Sequence, residues 1–145
     1  AIEVVKHQRK QAIEIIFNQA FNDTDQPEDR LKRVYEITTE VHRSAQNDGA
    51  HVRGCPFVNA GMELADANED VRLEIEETFQ QFAKYYRTIV DELRPSDEDP
   101  SLKEAAARAL VRNMNGAMVA SKIEQRPEAV SDAYETALLL ARGHP

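Results

Sequence analysis

Arg53–Arg72, with the sequence RGCPFVNAGMELADANEDVR, is the segment that decides the fold, because it inserts a short apolar element between long helical patterns. It contains the only cysteine of the chain, two of its five glycines and a proline. Gly54 and Pro56 forbid one continuous helix here, since glycine has high backbone entropy and proline lacks a donor N–H. Pro56 predicts the start of a short helix over residues 56–65, and Asn68 predicts the N-cap of the next helix.

Helical periodicity continues on both sides of this segment. Apolar residues recur at helical spacing, and no alternating run bounded by hairpin turns predicts a strand. The predicted helices cover residues 2–21, 27–46, 56–65, 69–93, 100–125 and 127–142. The sequence therefore predicts an all-α fold, an antiparallel bundle of about six helices in a single domain over residues 1–145.

The composition limits the classes of function that the chain can have. The formal net charge is −8, with 41% hydrophobic and 30% charged residues. Nucleic-acid binding by these residues is disfavoured, because phosphate contacts require a basic surface. The single cysteine and the absence of an apolar run of about 18 residues predict a cytoplasmic protein without an internal disulfide or membrane span.

The sequence offers little for catalysis or metal binding. It contains no nucleophile elbow, no phosphate-binding loop and no Glu-x-x-His pattern, and Cys55 has no CxxC partner. The histidines do not pair at the i, i+4 spacing of a helical metal site; they are His7, His42, His51 and His144. We therefore expect no enzyme, no metal and no cofactor. Cys55 is interpreted as a small buried hydrophobe, and His42 as a core or pocket-rim residue.

The last two predicted helices differ from the others. In Ala105–Ala120 and Ala129–Ala141, small or apolar residues occupy nearly the whole helix circumference. A helix that is apolar on all sides must be covered on all sides. One bundle of six helices does not easily cover both faces of a peripheral helix, so the pattern indicates a partner for the remaining face.

The central segment also resembles a known family. Gly54–Ala65 (GCPFVNAGMELA) and Asn68–Arg72 (NEDVR) are similar to the middle of the C-terminal domain of TetR/AcrR-family transcriptional regulators. In that family a Gly-Cys-hydrophobic-hydrophobic-Asn run with a later Glu makes a short helix, and a pEvR-like start opens the next one. Asn115–Lys122 (NGAMVASK) and Arg126–Val130 (RPEAV) look like the last two helices of the family. The resemblance extends over essentially the whole chain.

The resemblance implies a homodimer and a regulatory mechanism. Family members begin with a three-helix helix-turn-helix domain that binds DNA, and nothing in these 145 residues matches it. The chain would thus contact DNA only through that missing domain. The last two helices of each protomer would form a four-helix dimer interface. The residues expected there are Gly116, Val119, Ala120, Ile123, Ala133, Tyr134, Ala137, Leu140 and Ala141.

A small hydrophobic or amphipathic effector is the other partner that the resemblance implies, since helical bundles bind such molecules in apolar cavities between helices. The ligand-binding candidates are Phe57, Met62, Phe82, Tyr86, Asn113, Met114, Ala117 and Met118. The same residues also suit a filled core, and Asn113 then needs a hydrogen-bond partner. Two alternatives stay open: a DNA-independent helical homodimer that acts as a scaffold or interaction protein, and a helical-bundle enzyme with a bound metal or cofactor.

Overall fold

The computed structural model describes residues 1–143 as six helices joined by loops. Helix α1 has three consecutive parts: Ile2–Ala12, a π-helical segment Ile13–Asn18, and Gln19–Asp23. The other helices are α2 (Pro27–Asn47), α3 (Pro56–Leu64), α4 (Glu69–Leu93), α5 (Pro100–Glu124) and α6, which is Glu128–Asp132 and Tyr134–Arg142 separated by a turn at Ala133. These residues contain no strand, so the all-α prediction is confirmed. His144 lies outside the described residues.

Local chemistry explains where the helices begin. Proline occupies the first turn of α2, α3 and α5, where its missing N–H costs no hydrogen bond. The Asn68 side chain accepts a hydrogen bond from the Val71 backbone N–H (3.1 Å) and caps α4. Asp99 caps α5 in the same way, by accepting from the Ser101 backbone N–H (2.9 Å). Each such cap stabilises its helix by about 1 kcal/mol.

The core is divided into two clusters. The larger one joins α1, α2, α4, α5 and α6, and Leu31, Ile89 and Leu110 in it have no exposed surface. The smaller one joins α1, α3 and α4, through Val5 and Phe57 among others. Burial of such a side chain contributes about 1.5–3 kcal/mol. The first helix therefore packs against the rest of the bundle through both clusters.

The loop between α2 and α3 lies against the C-terminal end of α5. The Gln125 side chain accepts a hydrogen bond from the Val52 backbone N–H and donates one to the Val52 carbonyl, both at 3.0 Å. Gly54 has φ +73°, and a Cβ built on it would lie 3.1 Å from the Met118 carbonyl oxygen. Only glycine fits this conformation and this close approach without strain. The loop is thus fixed at both of these points.

Arg94 joins the C-terminal ends of α4 and α6. Its guanidinium donates to the carbonyl oxygens of Ala141 (2.9 Å) and Leu140 (2.6 Å), and it pairs with the Glu98 carboxylate (2.8 Å). Only 9% of the Arg94 side chain is exposed. These carbonyls end a helix and have no intrahelical donor, so a cation there satisfies both their hydrogen bonds and the helix dipole.

Candidate ligand-binding cavity

A cavity of about 280 Å³ lies where α1, α2, α3, α4 and α5 meet. Its inner wall is made of buried residues from all five helices, among them Phe17 of α1, Val34 of α2, Phe57 of α3, Tyr86 of α4 and Met114 of α5. Its size is near the lower end of the roughly 300–1,000 Å³ that small-molecule pockets span. The chain therefore holds an internal space that a small ligand can occupy.

Helix α1 contributes its π-helical segment to this cavity. Ile15, Ile16 and Phe17 belong to the segment Ile13–Asn18, and all three line the cavity, as does Ala12 immediately before it. In a π-helix the hydrogen bonds run from i to i+5, which is a rare geometry often found at functional sites. The irregular part of α1 thus faces the cavity, together with Gln8 and Ala12 of the regular part before it.

Aromatic rings connect the short helix to α1 across the cavity wall. The Phe57 and Phe82 ring centroids are 5.6 Å apart, and those of Phe82 and Phe17 are 5.1 Å apart. Phe17 also makes an edge-on contact with Tyr86, at 5.4 Å between centroids. Such contacts stabilise a wall and also transmit displacement, because a ring that moves must displace its neighbours. A change at α3 therefore reaches α1 through two aromatic contacts.

The polar side chains of the inner wall are mostly engaged with backbone carbonyls. Nδ1 of His42 lies 2.8 Å from the Thr38 carbonyl oxygen, and Nε2 lies 3.3 Å from the Gly54 carbonyl oxygen. A neutral imidazole has one N–H and donates to one of these two carbonyls. The Thr38 hydroxyl donates to the Val34 carbonyl (2.8 Å). These groups are occupied within the protein, and the inner wall is consequently apolar in character.

The Tyr86 hydroxyl is different. Within residues 1–143 it has no hydrogen-bond partner, although only 1% of the residue is exposed. No fully enclosed side-chain oxygen or nitrogen in these residues lacks a partner, so this hydroxyl must adjoin open space, and Tyr86 lines the cavity. Burial raises the pKa of Tyr86 well above its usual value, which keeps the hydroxyl neutral. It is thus available to a molecule in the cavity.

Cys55 lines the same cavity and is 3% exposed, as expected of a small buried hydrophobe. Burial raises the pKa of its thiol, against a smaller lowering by the backbone N–H groups of Val58 and Phe57. Since the thiolate is the nucleophile, the thiol is unreactive at neutral pH.

The cavity opens to solvent between α1, α2 and the α2–α3 loop. The lining residues that are exposed define this mouth: they are Ile15, Val41, His51, Arg53 and Pro56. No aspartate or glutamate lines any part of the cavity. This composition contrasts with the net charge of −8 over the chain.

Five of the eight predicted ligand-binding residues line the cavity: Phe57, Phe82, Tyr86, Met114 and Met118. The other three do not. Met62 is 84% exposed, because it follows Phe57 by five residues and so points to another side of α3. Asn113 accepts a hydrogen bond from the Tyr35 hydroxyl (2.6 Å), which supplies the partner its amide requires. Ala117 is buried in the helix contacts of α5 without reaching the cavity.

The cavity residues of α1 and α2 are absent from the set predicted from the sequence. On α2 the inward residues change from Val34 to Thr38, His42 and Ala45 toward the C-terminus. A stripe that mixes threonine, histidine and alanine with valine packs less uniformly than an aliphatic stripe does, and this is the signal that could have indicated a cavity.

The predicted dimer residues divide into three groups by their exposure. Ala137 and Ala141 have no exposed surface, so their assignment to an interface is wrong: they pack inside their own protomer. On α5, Gly116 is exposed, as are 40% of Val119 and 78% of Ile123. The remaining predicted residues are half-buried; they are Ala120, Ala133, Tyr134 and Leu140.

An apolar surface therefore remains uncovered on α5. Besides Val119 and Ile123, 55% of Leu102 is exposed at the start of the helix, and on α6 70% of Leu139 is exposed. Leu139 is next to the predicted Leu140, so the prediction was one residue away from the outward position. Among residues 1–143 no helix is long and apolar enough to cross a membrane.

The described part of the chain brings no three His, Cys, Asp or Glu side chains together as metal ligands.

Searches of curated proteins and of solved structures give no match. The family model described as tetracyclin repressor-like, C-terminal domain matches residues 27–137, from the start of α2 into α6. Domains of this kind belong to regulatory proteins, and they typically dimerise and bind small molecules. The chain belongs to the tetracyclin repressor-like C-terminal domain family.

Proposed function

We propose that this domain binds a small hydrophobic or amphipathic effector in the cavity, and that it is the sensing and dimerisation domain of a TetR-like repressor. An N-terminal helix-turn-helix outside this sequence would bind the DNA. The observation that carries the proposal is the cavity of about 280 Å³, which has apolar walls and an unpartnered Tyr86 hydroxyl on one of them. Ligand sites commonly combine apolar walls with a few polar groups that orient the ligand.

The contacts of α1 supply the route from the cavity to the DNA-binding part. An effector in the cavity touches Ile15, Ile16 and Phe17, and the same helix extends from them to Ile2. Arg9 attaches that N-terminal part to α4, through an ion pair with Glu74 (2.8 Å). An effector changes DNA binding only if its affinity differs between two arrangements of α1. The domain then responds by a shift in their populations.

A cavity-filling substitution tests ligand binding. We expect wild-type protein to enhance the fluorescence of N-phenyl-1-naphthylamine, an apolar probe, and Met118→Trp to weaken its binding by about tenfold or more. Met118 lines the cavity, and a larger side chain there takes the space of the probe. The matched control is Met62→Trp, because 84% of Met62 is exposed and it does not line the cavity. Titration of the probe at constant protein concentration gives both affinities.

If the two tryptophan variants bind the probe with equal affinity, the probe binds outside the cavity, and the proposal that the cavity is the ligand site is wrong. A wild-type protein that binds no probe would favour the scaffold alternative, which needs the dimer but not the cavity. Far-UV circular dichroism of both variants shows that each remains folded.

The exposed face of α5 supports the dimer. Gly116 is exposed, and a Cβ added there would meet no atom within 4 Å inside the protomer, so the fold of the protomer leaves room for a side chain at this position. In a close helix contact between protomers, the same residue would cost about 1–3 kcal/mol. We therefore expect Gly116→Leu to raise the dimer dissociation constant by about tenfold or more in sedimentation velocity.

Thr88→Leu is the control for this measurement, since Thr88 is an exposed residue of α4 and the change adds a leucine outside the α5 face. The midpoint of thermal unfolding should not fall in Gly116→Leu, because removing glycine from a helix stabilises it by about 0.5–1 kcal/mol. An unchanged dimer at low concentration would refute this interface.

A further inference from the structure

The charge at the cavity mouth is positive and comes from one residue. Among all residues that line the cavity, Arg53 is the one with a permanent charge, and the exposed His51 lies two residues before it. Aspartate and glutamate are absent from the lining, although the whole chain has 26 acidic residues against 18 lysines and arginines. A cationic mouth on an acidic protein attracts anions and disfavours cations at this one place.

The backbone around Arg53 is fixed while its guanidinium is uncommitted. The Arg53 carbonyl accepts a hydrogen bond from the Asn59 side chain (2.7 Å), and the neighbouring Val52 and Gly54 are held by Gln125 and by contact with α5. Within residues 1–143 the guanidinium forms no ion pair, unlike those of Arg43, Arg87 and Arg94 in the same range. The loop thus presents a free planar cation at the entrance of an apolar space.

The interior of the cavity determines the chemistry of the part of the ligand that lies away from the mouth. Phe17, Phe57, Phe82 and Met118 give it an aromatic and polarisable surface, which suits flat or flexible apolar groups. The volume of about 280 Å³ limits that apolar group to a small molecule. A charge buried deeper would lack a counterion, because no other permanently charged residue lines the cavity.

We propose that the ligand is an amphipathic anion: an apolar body that fills the cavity and one carboxylate that pairs with Arg53 at the mouth. This inference rests on the proposed function and specifies the chemical class of the effector. A guanidinium binds a carboxylate with two parallel hydrogen bonds, which gives direction as well as charge. The apolar body contributes most of the affinity, and the Arg53 pair selects anions over neutral molecules of the same shape.

The experiment compares two probes of matched shape, 2-naphthoate and 2-naphthalenemethanol, at pH 7.5 by isothermal titration calorimetry. We expect wild-type protein to bind the carboxylate more tightly than the alcohol, by roughly three- to tenfold, since a solvent-accessible ion pair contributes up to about 1 kcal/mol and bidentate geometry adds to it. Arg53→Gln should remove this preference and leave the alcohol affinity within about twofold. Arg53→Lys should keep part of the preference, because it retains the charge without the planar fork.

The matched control is Arg108→Gln, which removes an exposed arginine of α5 that does not line the cavity. It should leave the ratio of the two affinities unchanged. Raising the salt from about 0.1 M to about 1 M shortens the Debye length from about 10 Å to about 3 Å, so the wild-type ratio should fall toward one.

The outcomes separate the two proposals. If the alcohol binds in competition with N-phenyl-1-naphthylamine as tightly as the carboxylate does, or if Arg53→Gln keeps the preference, the anion inference is wrong and the cavity proposal stands. If neither naphthalene compound nor the fluorescent probe binds, the cavity proposal itself fails.

Discussion

Replacing Gly54 by alanine is expected to lower the free energy of unfolding by about 2–4 kcal/mol. At φ +73° an L-residue is strained by roughly 1–2 kcal/mol. The new Cβ would also lie 3.1 Å from the Met118 carbonyl oxygen, and a backbone atom inside a helix cannot move aside as a flexible side chain can. Overpacking of this kind costs about 1–3 kcal/mol. Urea unfolding followed by far-UV circular dichroism measures the change.

Gly49→Ala is the control that separates the backbone strain from the close contact. Gly49 has φ +86°, and a Cβ there would meet nothing within 4 Å. It should therefore show the backbone cost of roughly 1–2 kcal/mol without the contact. If both substitutions destabilise the protein equally, the α2–α3 loop does not approach α5 as closely as 3.1 Å at this point.

The second large effect is expected at Arg94. Arg94→Ala should lower the free energy of unfolding by about 2–4 kcal/mol, since hydrogen bonds to a charged group contribute roughly 1.5–3 kcal/mol and the change removes several. The carbonyls of Leu140 and Ala141 lose their donor, and Glu98 loses its partner. Chemical unfolding of the variant and wild type under the same conditions gives the difference.

Arg87→Ala is the comparison for this site. Arg87 makes two short ion pairs, with Asp91 and Glu104 (both 2.8 Å), whereas Arg94 makes one; 28% of the Arg87 side chain is exposed against 9% for Arg94. Both partners are carboxylates on the surface, so the loss should be about 1 kcal/mol or less. A loss at Arg87 as large as that at Arg94 would mean that the number of ion pairs matters more than the capping of α6.

The helix boundaries could be predicted because local chemistry sets them. Pro27, Pro56 and Pro100 each begin a helix as predicted, and Asn68 caps α4 as predicted. Each depends on residues within one turn of itself, so no knowledge of the tertiary structure is needed. The break of the last helix at Ala133 was not predicted, since no proline or glycine marks it.

The cavity was predictable only in part, because it depends on residues far apart in the chain. The apolar stripe of α4 placed Phe82 and Tyr86 toward the interior, and they line the cavity. The hydrogen bond between Tyr35 and Asn113 joins residues 78 positions apart, so no local pattern separates a buried structural amide from a ligand-binding one. Periodicity likewise did not distinguish Leu139 from Leu140 on a short helix, since a rotation of one residue, about 100°, is enough to move a side chain from the flank of the inner face to the outer face.

The π-helical segment of α1 has a consequence for how a signal could leave the cavity. It carries i to i+5 hydrogen bonds between two stretches that carry i to i+4 bonds. The π-helical segment holds one residue more than the same number of α-helical turns would hold. If the segment changed to α-geometry, Ile2–Ala12 would turn by about 100° about the helix axis and shift by about 1.5 Å relative to Gln19–Asp23. A backbone N–H bonds either to the i−4 or to the i−5 carbonyl, so helix α1 would have two distinct conformations. The position of Ile2–Ala12 would then change in one step rather than gradually.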